Sequence, residues 1–206
     1  MKPSLLCAMM TFVGVTFSQS QHSTSSQMKK LLKDISIKAI ELGDYNTELT
    51  DEQLDSVWIG YAPATRNDIE AAEKRLGVTL PKNYVDFLLI TNGFHAATGI
   101  EPGLCAVNNI DFLKNVDPEL YEIWIETGNT EVGKRLKTAI KVGGFDEEQY
   151  FFLIPPDKKH STWEYWVFAS WIPGEIIYES MTDYFQEVLE TTAMSIEEKK
   201  RSNNTE

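Results

Sequence analysis

The sequence predicts an α+β fold, with a mainly antiparallel, twisted sheet of about four to six strands flanked by helices. Apolar residues recur at helical spacing through the first half of the chain. The second half turns to short β-rich runs separated by Gly-Gly, Pro-Pro and Pro-Gly steps, and helical spacing returns near the C-terminus. At 206 residues and 42% hydrophobic, the chain suits one medium domain, large enough to bury a core without disulfides or metal.

Met28, Leu31, Leu32, Ile35, Ala39 and Leu42 form an amphipathic stripe, and Gly43 stops it. Thr50 and Gln53 have capping-box spacing ahead of a short helical turn. "WIGYAPA" then breaks the pattern into a loop with an aromatic anchor at Trp58. Thr65 and Asp68 repeat the capping box before Ile69, Ala72 and Leu76, and Gly77 supplies the left-handed stop. Pro81 opens the next helix, because its φ is preset and its missing N–H has no intrahelical partner there. Tyr84, Phe87, Leu88 and Thr91 line the inner face of that helix, and Asn92-Gly93 closes it.

"GLCAV" reads as a short strand, Asp111 to Asn115 as a helical turn, and Asp117-Pro118 as the start of a helix reaching about Thr127. "TGNTEVG" reads as a loop. Ala139 to Val142, Tyr150 to Ile154, Glu164 to Trp171 and Ile176 to Tyr178 then form an antiparallel meander. In "WEYWVFASW" aromatic residues fall on both faces, so that strand should be central and covered on each side. Ser180 and Asp183 cap a last helix with Tyr184, Phe185, Val188 and Leu189 inward.

The two ends have a different character. Residues 1–18 carry Lys2, an apolar run from Leu5 to about Val15 and the small residues Thr16 and Ser18, the order of a secretory signal peptide cut after Ser18. Its apolar run is too short to span a bilayer, and the mature chain is expected to have no stable membrane span. Residues 19–27 read as a flexible Ser/Gln-rich linker, 28–196 as the single folded domain and 197–206 as a disordered tail. The leader places the protein in the periplasm or outside the cell. Translation from Met28 would instead leave it in the cytoplasm.

The formal net charge of -12 repels phosphate backbones and anionic headgroups, which argues against nucleic acid as a partner. Of the two cysteines, Cys7 lies in the leader, and Cys105 is flanked by apolar residues as a buried strand thiol would be. The sequence contains no phosphate-binding loop, dinucleotide fingerprint, nucleophile elbow or paired-cysteine metal motif. His22, His95 and His160 show no ligand spacing, so no metal, cofactor or catalytic residue is assigned. "FDEEQY" lacks the spacing and turn glycine of a calcium loop and reads as a solvated hairpin tip. Core packing accounts for most of the Trp163, Trp166 and Trp171 rings, with Trp166 beside Glu164 the expected exposed one.

"ATRNDIEAAEKRLGVTLPKNYVDFLLITNGF" resembles the signature of the SUKH superfamily, which includes bacterial immunity proteins and the fungal Smi/Knr cell-wall regulators. The residues that carry the resemblance are Ile69 and Glu70, Leu76 and Gly77, Leu80 and Pro81, Tyr84, Phe87 and Leu88, and Asn92 and Gly93. It extends roughly from Ala62 to Leu189, departing in an insertion from Asp117 to Lys137 and in the leader. It implies an α+β SUKH-like domain that binds another protein, typically a toxin neutralised by occlusion, with no catalytic residues to transfer.

On that reading a carboxylate-rich patch of Asp146, Glu147, Glu148 and Glu164, anchored by Trp166, meets a basic toxin domain. Two other readings stand beside it. One is an exported hydrolase whose site would need two or more of Asp146, Glu147, His160 and Glu175 to converge. The other is a regulatory or structural envelope protein.

Overall fold

The computed structural model describes residues 16–44, 49–126, 131–144, 149–169, 171 and 174–203. Five strands form one sheet: β1 (Asp111–Phe112), β2 (Ile140–Gly143), β3 (Gln149–Ile154), β4 (Glu164–Ala169) and β5 (Glu175–Tyr178). Their order in space is their order in sequence, and every neighbouring pair is antiparallel. The expected meander is therefore present, with one more short strand at its first edge.

Helices α1 (Thr16–Leu42), α2 (Asp51–Ser56), α3 (Arg66–Leu76) and α4 (Lys82–Leu88) precede the sheet, and α8 (Met181–Asn203) follows it. Both expected capping boxes are formed, Thr50 with Gln53 and Thr65 with Asp68. Gly77 closes α3 at φ 69°, in the left-handed region that glycine enters without a Cβ penalty. Pro81 sits one position before its helix, as the N-cap of α4.

The stripe of α1 is buried with Tyr84, Phe87 and Leu88 of α4 and with Phe151, Tyr165 and Val167 of the sheet in one large core. Phe185 of α8 is a hub of it, with ring centroids 5.5 Å from Phe87 and 5.8 Å from Phe94. Burying a ring of this kind contributes about 1.5–3 kcal/mol, so this cluster carries much of the net stability.

Alternation along β4 sends Trp166 and Phe168 to the opposite face, into a second cluster with Leu113, Leu136, Phe152 and Ile154. That face is covered by α5 (Leu113–Val116), α6 (Pro118–Glu126) and α7 (Glu131–Leu136). The Asp117 to Lys137 insertion is thus the lid of the second core, and β4 is covered on both faces as expected.

Two readings of elements are corrected. "GLCAV" is not a full strand: Leu104 makes single bridges to Phe94 and Gly143, and Pro102, lacking an N–H, cannot extend a ladder. The loop expected through Gly133 gives way at Glu131 to α7, whose Gly133 and Leu136 are buried, so packing overrides the glycine signal.

The linker expected at 19–27 lies inside α1. Extending a helix whose Met28–Leu42 part is already packed adds a hydrogen bond per residue and needs no new nucleus. The cut expected after Ser18 also falls within this helix, and residues 1–15 lie outside the described residues. The tail expected from residue 197 continues α8 to Asn203, tied down by Lys199 Nζ donating to the Leu42 carbonyl at 2.6 Å and by Lys200 pairing with Glu41 at 3.2 Å.

Candidate functional site

Of the residues expected to grip a partner, Glu164 and Trp166 are among the described ones. Asp146, Glu147 and Glu148 lie outside the described residues. Trp166 is not the exposed anchor: it is 3% exposed, because α6 and α7 cover its face of β4. Glu164 is engaged inward. Its Oε2 accepts the Trp166 indole N–H at 2.9 Å and Arg135 Nη2 at 3.1 Å, so one carboxylate oxygen serves a buried indole donor and one arm of a buried guanidinium.

The described half of the hydrolytic set is also dispersed. His160 sits in the β3–β4 connection, with Nδ1 3.0 Å from Asp157 Oδ1, next to the Glu164 end of β4. Glu175 pairs across from Phe168 at the other end. Four residue steps along the strand separate Glu164 from Phe168, about 13 Å. Cys105 is half-buried and free, and burial pushes its thiol up to about 12, which makes it unreactive. Among the described residues no group of three or more His, Cys, Asp or Glu is placed to hold a metal ion.

The concave feature that does stand out is a groove of about 750 Å³ between α2 and the loop that follows it, lined by Trp58, Tyr61, Pro63, Ile90 and His95, with Lys29, Thr50 and Glu52 on its polar rim. Its floor is built by two chain segments running past each other. His95 N–H donates to the Ile59 carbonyl at 3.1 Å, Asn92 N–H to Ala62 at 3.0 Å and Ala64 N–H to Leu88 at 2.9 Å. Thr91, fully buried, joins them: its Oγ1 accepts Tyr61 N–H at 2.8 Å and donates to the Gly93 carbonyl at 2.5 Å.

Glycine lets the two segments approach closely here. A Cβ on Gly60 would stand 2.4 Å from Thr91 Oγ1, and Gly93, at φ 106°, would place one 2.7 Å from the Leu104 carbonyl oxygen.

The α2 wall is held from outside. Gln53 Nε2 donates to the Gly60 carbonyl at 3.3 Å, and Lys33 of α1 donates to the Ser56 and Val57 carbonyls at 2.7 Å each. A cation at a helix C-terminus satisfies carbonyls that have no intrahelical partner and stabilises the dipole's negative end. It also offsets Val57's left-handed φ of 49°, costly for a β-branched residue. Buried Ser36 adds a second tie, accepting Ile59 N–H at 3.3 Å.

At the groove's mouth, Tyr61 and His95 lie ring on ring, centroids 4.7 Å apart, with Tyr61 Oη 3.4 Å from His95 Nδ1. Tyr61 is nevertheless 44% exposed. Burial holds the imidazole below its ordinary pKa, so the ring is neutral at physiological pH, and the tautomer protonated on Nε2 leaves Nδ1 to accept the tyrosine hydroxyl. The outcome is a rigid aromatic lip. Sequence reading found Trp58 in this loop but missed Tyr61 and His95, which lie 34 residues apart. Their available signal was an aromatic in each of two glycine-containing turns, Gly60-Tyr61 and Gly93-Phe94-His95.

No helix among the described residues is long and apolar enough to cross a membrane. No curated protein matches the chain in sequence. The SMI1 / KNR4 family (SUKH-1) model matches residues 63–187, more than half of the chain, and takes in Pro63, Ile90 and His95 of the groove, the proline-hinged helices α3 and α4 and the whole sheet. By that match, and by the five-stranded antiparallel sheet flanked by helices, this chain belongs to the SMI1 / KNR4 family (SUKH-1).

Proposed function

We propose that this protein is a non-catalytic binding module that holds another protein against the Trp58–Tyr61–His95 groove. The carrying observation is the half-exposed Tyr61 ring, preset on His95 over a floor fixed by backbone hydrogen bonds. A large aromatic surface already locked in place loses little entropy on binding and serves well as an interface anchor. SUKH domains are in general protein-binding, which supports the same reading.

The finer proposal is an immunity protein that occludes a basic toxin domain, for which the net charge of -12 supplies long-range attraction. The separation of His160 from Glu175 across β4 weighs against the hydrolase reading. Export by a leader of residues 1–18 is part of the proposal and is tested by mass spectrometry of the mature N-terminus. A mature chain that still begins at Met1 or Met28 would remove export.

The functional test is affinity purification from the native host with the full chain and with Tyr61→Ala. The full chain should capture a basic protein whose association slows as salt rises, and Tyr61→Ala should lose most of it. Undiminished capture by Tyr61→Ala would overturn the groove as the interface.

A further inference from the structure

The Trp58–Tyr61–His95 groove is selective in what it leaves free to bond. Gly60 and Ala62 line it, and both carbonyls are already taken: Gly60's accepts Gln53 Nε2 at 3.3 Å, and Ala62's accepts Asn92 N–H at 3.0 Å. The carbonyl of buried Ile59 accepts His95 N–H at 3.1 Å. Pro63, exposed at the end of the same run, has no N–H to offer. With its carbonyls occupied and a proline in its run, this wall is a poor edge for an added strand.

What the groove does leave free is a donor. Trp58 is half-buried, its indole N–H makes no hydrogen bond with the described residues, and that atom is open to solvent. The rings of Trp58, Tyr61 and His95 supply flat apolar faces beside it. The charge around the groove is one-sided. The α2 wall exposes Asp51, Glu52 and Asp55, none of which forms an ion pair with the described residues, while Lys29 is the only lysine or arginine lining the groove.

A segment that fits these terms offers carbonyl acceptors, brings few N–H donors and presents compact apolar rings. A run of proline in the polyproline II conformation does all three. Its residues lack an N–H, its carbonyls are free of internal bonds, and its extended shape is preset, so little entropy is lost on docking. Aromatic-lined grooves take such segments for these reasons. Charge complementarity adds a basic residue where the run passes α2. We infer that the groove receives a proline-rich segment that carries a lysine or arginine against the α2 carboxylates. The inference deepens the groove reading and rests on it: Trp58 N–H donates to a segment carbonyl, proline rings lie on Trp58 and Tyr61, and Glu52 pairs with the basic residue.

The test is a titration of the full chain, labelled with 15N, by a capped synthetic peptide of six prolines followed by arginine. It is read at the Trp58 indole N–H resonance, which Trp58→Phe identifies by its loss. A saturable shift there is expected. Affinity should fall about tenfold in Tyr61→Ala, which removes a half-exposed anchoring ring, and less in Glu52→Gln, which removes one exposed carboxylate. The dispersion of each spectrum reports that the variant is folded. Six alanines followed by arginine, equal in length and charge but with backbone N–H groups and no preset shape, should bind about tenfold more weakly. Six prolines followed by glutamate should lose most of the shift. No saturable shift at Trp58, equal affinity for the alanine or the glutamate-ended peptide, or full binding by folded Tyr61→Ala would each overturn the proposal. Failure of the groove reading is distinguishable: Tyr61-dependent capture of a host protein with no peptide shift at Trp58 keeps the groove as the interface and removes its proline chemistry.

Discussion

Arg135 of α7 and Glu164 of β4 meet at 3.1 Å across the second core, and the carboxylate oxygen that takes Arg135 also takes the indole N–H of Trp166. Arg135 is 5% exposed and reaches Asp157 Oδ2 at 2.9 Å with its other terminal nitrogen. One buried guanidinium therefore ties the lid helix to β4 and to the β3–β4 connection. Removing one partner of such a pair leaves an uncompensated buried charge, whereas replacing both by apolar groups removes the desolvation cost as well. Glu164→Ala is expected to lower stability by about 3 kcal/mol, and Arg135→Met combined with Glu164→Leu to recover part of that loss, the remainder being the buried Trp166 indole N–H left without its acceptor. Urea denaturation of the three chains checks the order.

The carboxylates of Asp157 and Glu101 give opposite dependences on pH. The backbone N–H of His160, with further help from Lys159 and Arg135, holds Asp157 well below the usual carboxylate range. A depressed folded value means stability that is present above the ordinary 3.8 and is lost as pH falls through the lower folded value. Burial raises Glu101 above its ordinary 4.5, so its contribution is fully present below that value and is lost as pH rises through the folded one. Glu101→Gln should therefore raise Tm at neutral pH, with the gain shrinking toward pH 4.5. Asp157→Asn should lower Tm at neutral pH, with the deficit shrinking below pH 3.8. Thermal melts followed by circular dichroism across this range test both signs.

Cys105 offers a chemical test of the core. Its thiol is pushed up to about 12 by burial, so at pH 8 its thiolate fraction is about a thousandfold below that of a free cysteine. Alkylation by iodoacetamide should be slower by about that factor in the folded chain and return to the free rate in urea. Rapid labelling without denaturant would show that the 103–107 segment opens readily from β2.

Much of this architecture is legible in the sequence because local and tertiary preferences agree there. The Thr50 and Thr65 capping boxes, the Gly77 stop, the Pro81 hinge and the strand meander all follow from short-range rules. What sequence reading missed was decided by distant partners. Trp166 has the alternation of an outward residue until α6 and α7 cover its face, and Glu164 beside it suggests solvent until Arg135, 29 residues away, is seen to neutralise it. The Tyr61–His95 lip is non-local in the same way, since only the crossing of the 59–64 and 88–95 segments brings the rings together.

Gly60 and Gly93 at that crossing, set against Gly77 at the end of α3, separate fold stability from partner binding. Gly77→Ala places a Cβ in open space at a left-handed φ and is expected to cost about 1–2 kcal/mol, the backbone penalty alone. Gly93→Ala adds a collision with the Leu104 backbone, which cannot rotate away, so its cost should exceed that of Gly77→Ala by about 1–3 kcal/mol. Gly60→Ala differs in kind. Its new Cβ would meet the side chains of Thr91, at 2.4 Å, and Trp58, at 2.7 Å, and a side chain can swing aside where a backbone cannot. The swing comes at the expense of the groove: displacing Trp58 removes one wall, and displacing Thr91 loosens the hold on Tyr61 N–H and Gly93. Gly60→Ala should therefore lose partner capture while melting well above Gly93→Ala, a contrast that parallel Tm and pull-down measurements on the three variants would establish. Equal loss of Tm in Gly60→Ala and Gly93→Ala would mean that the Trp58 wall is as rigid as the backbone beneath it.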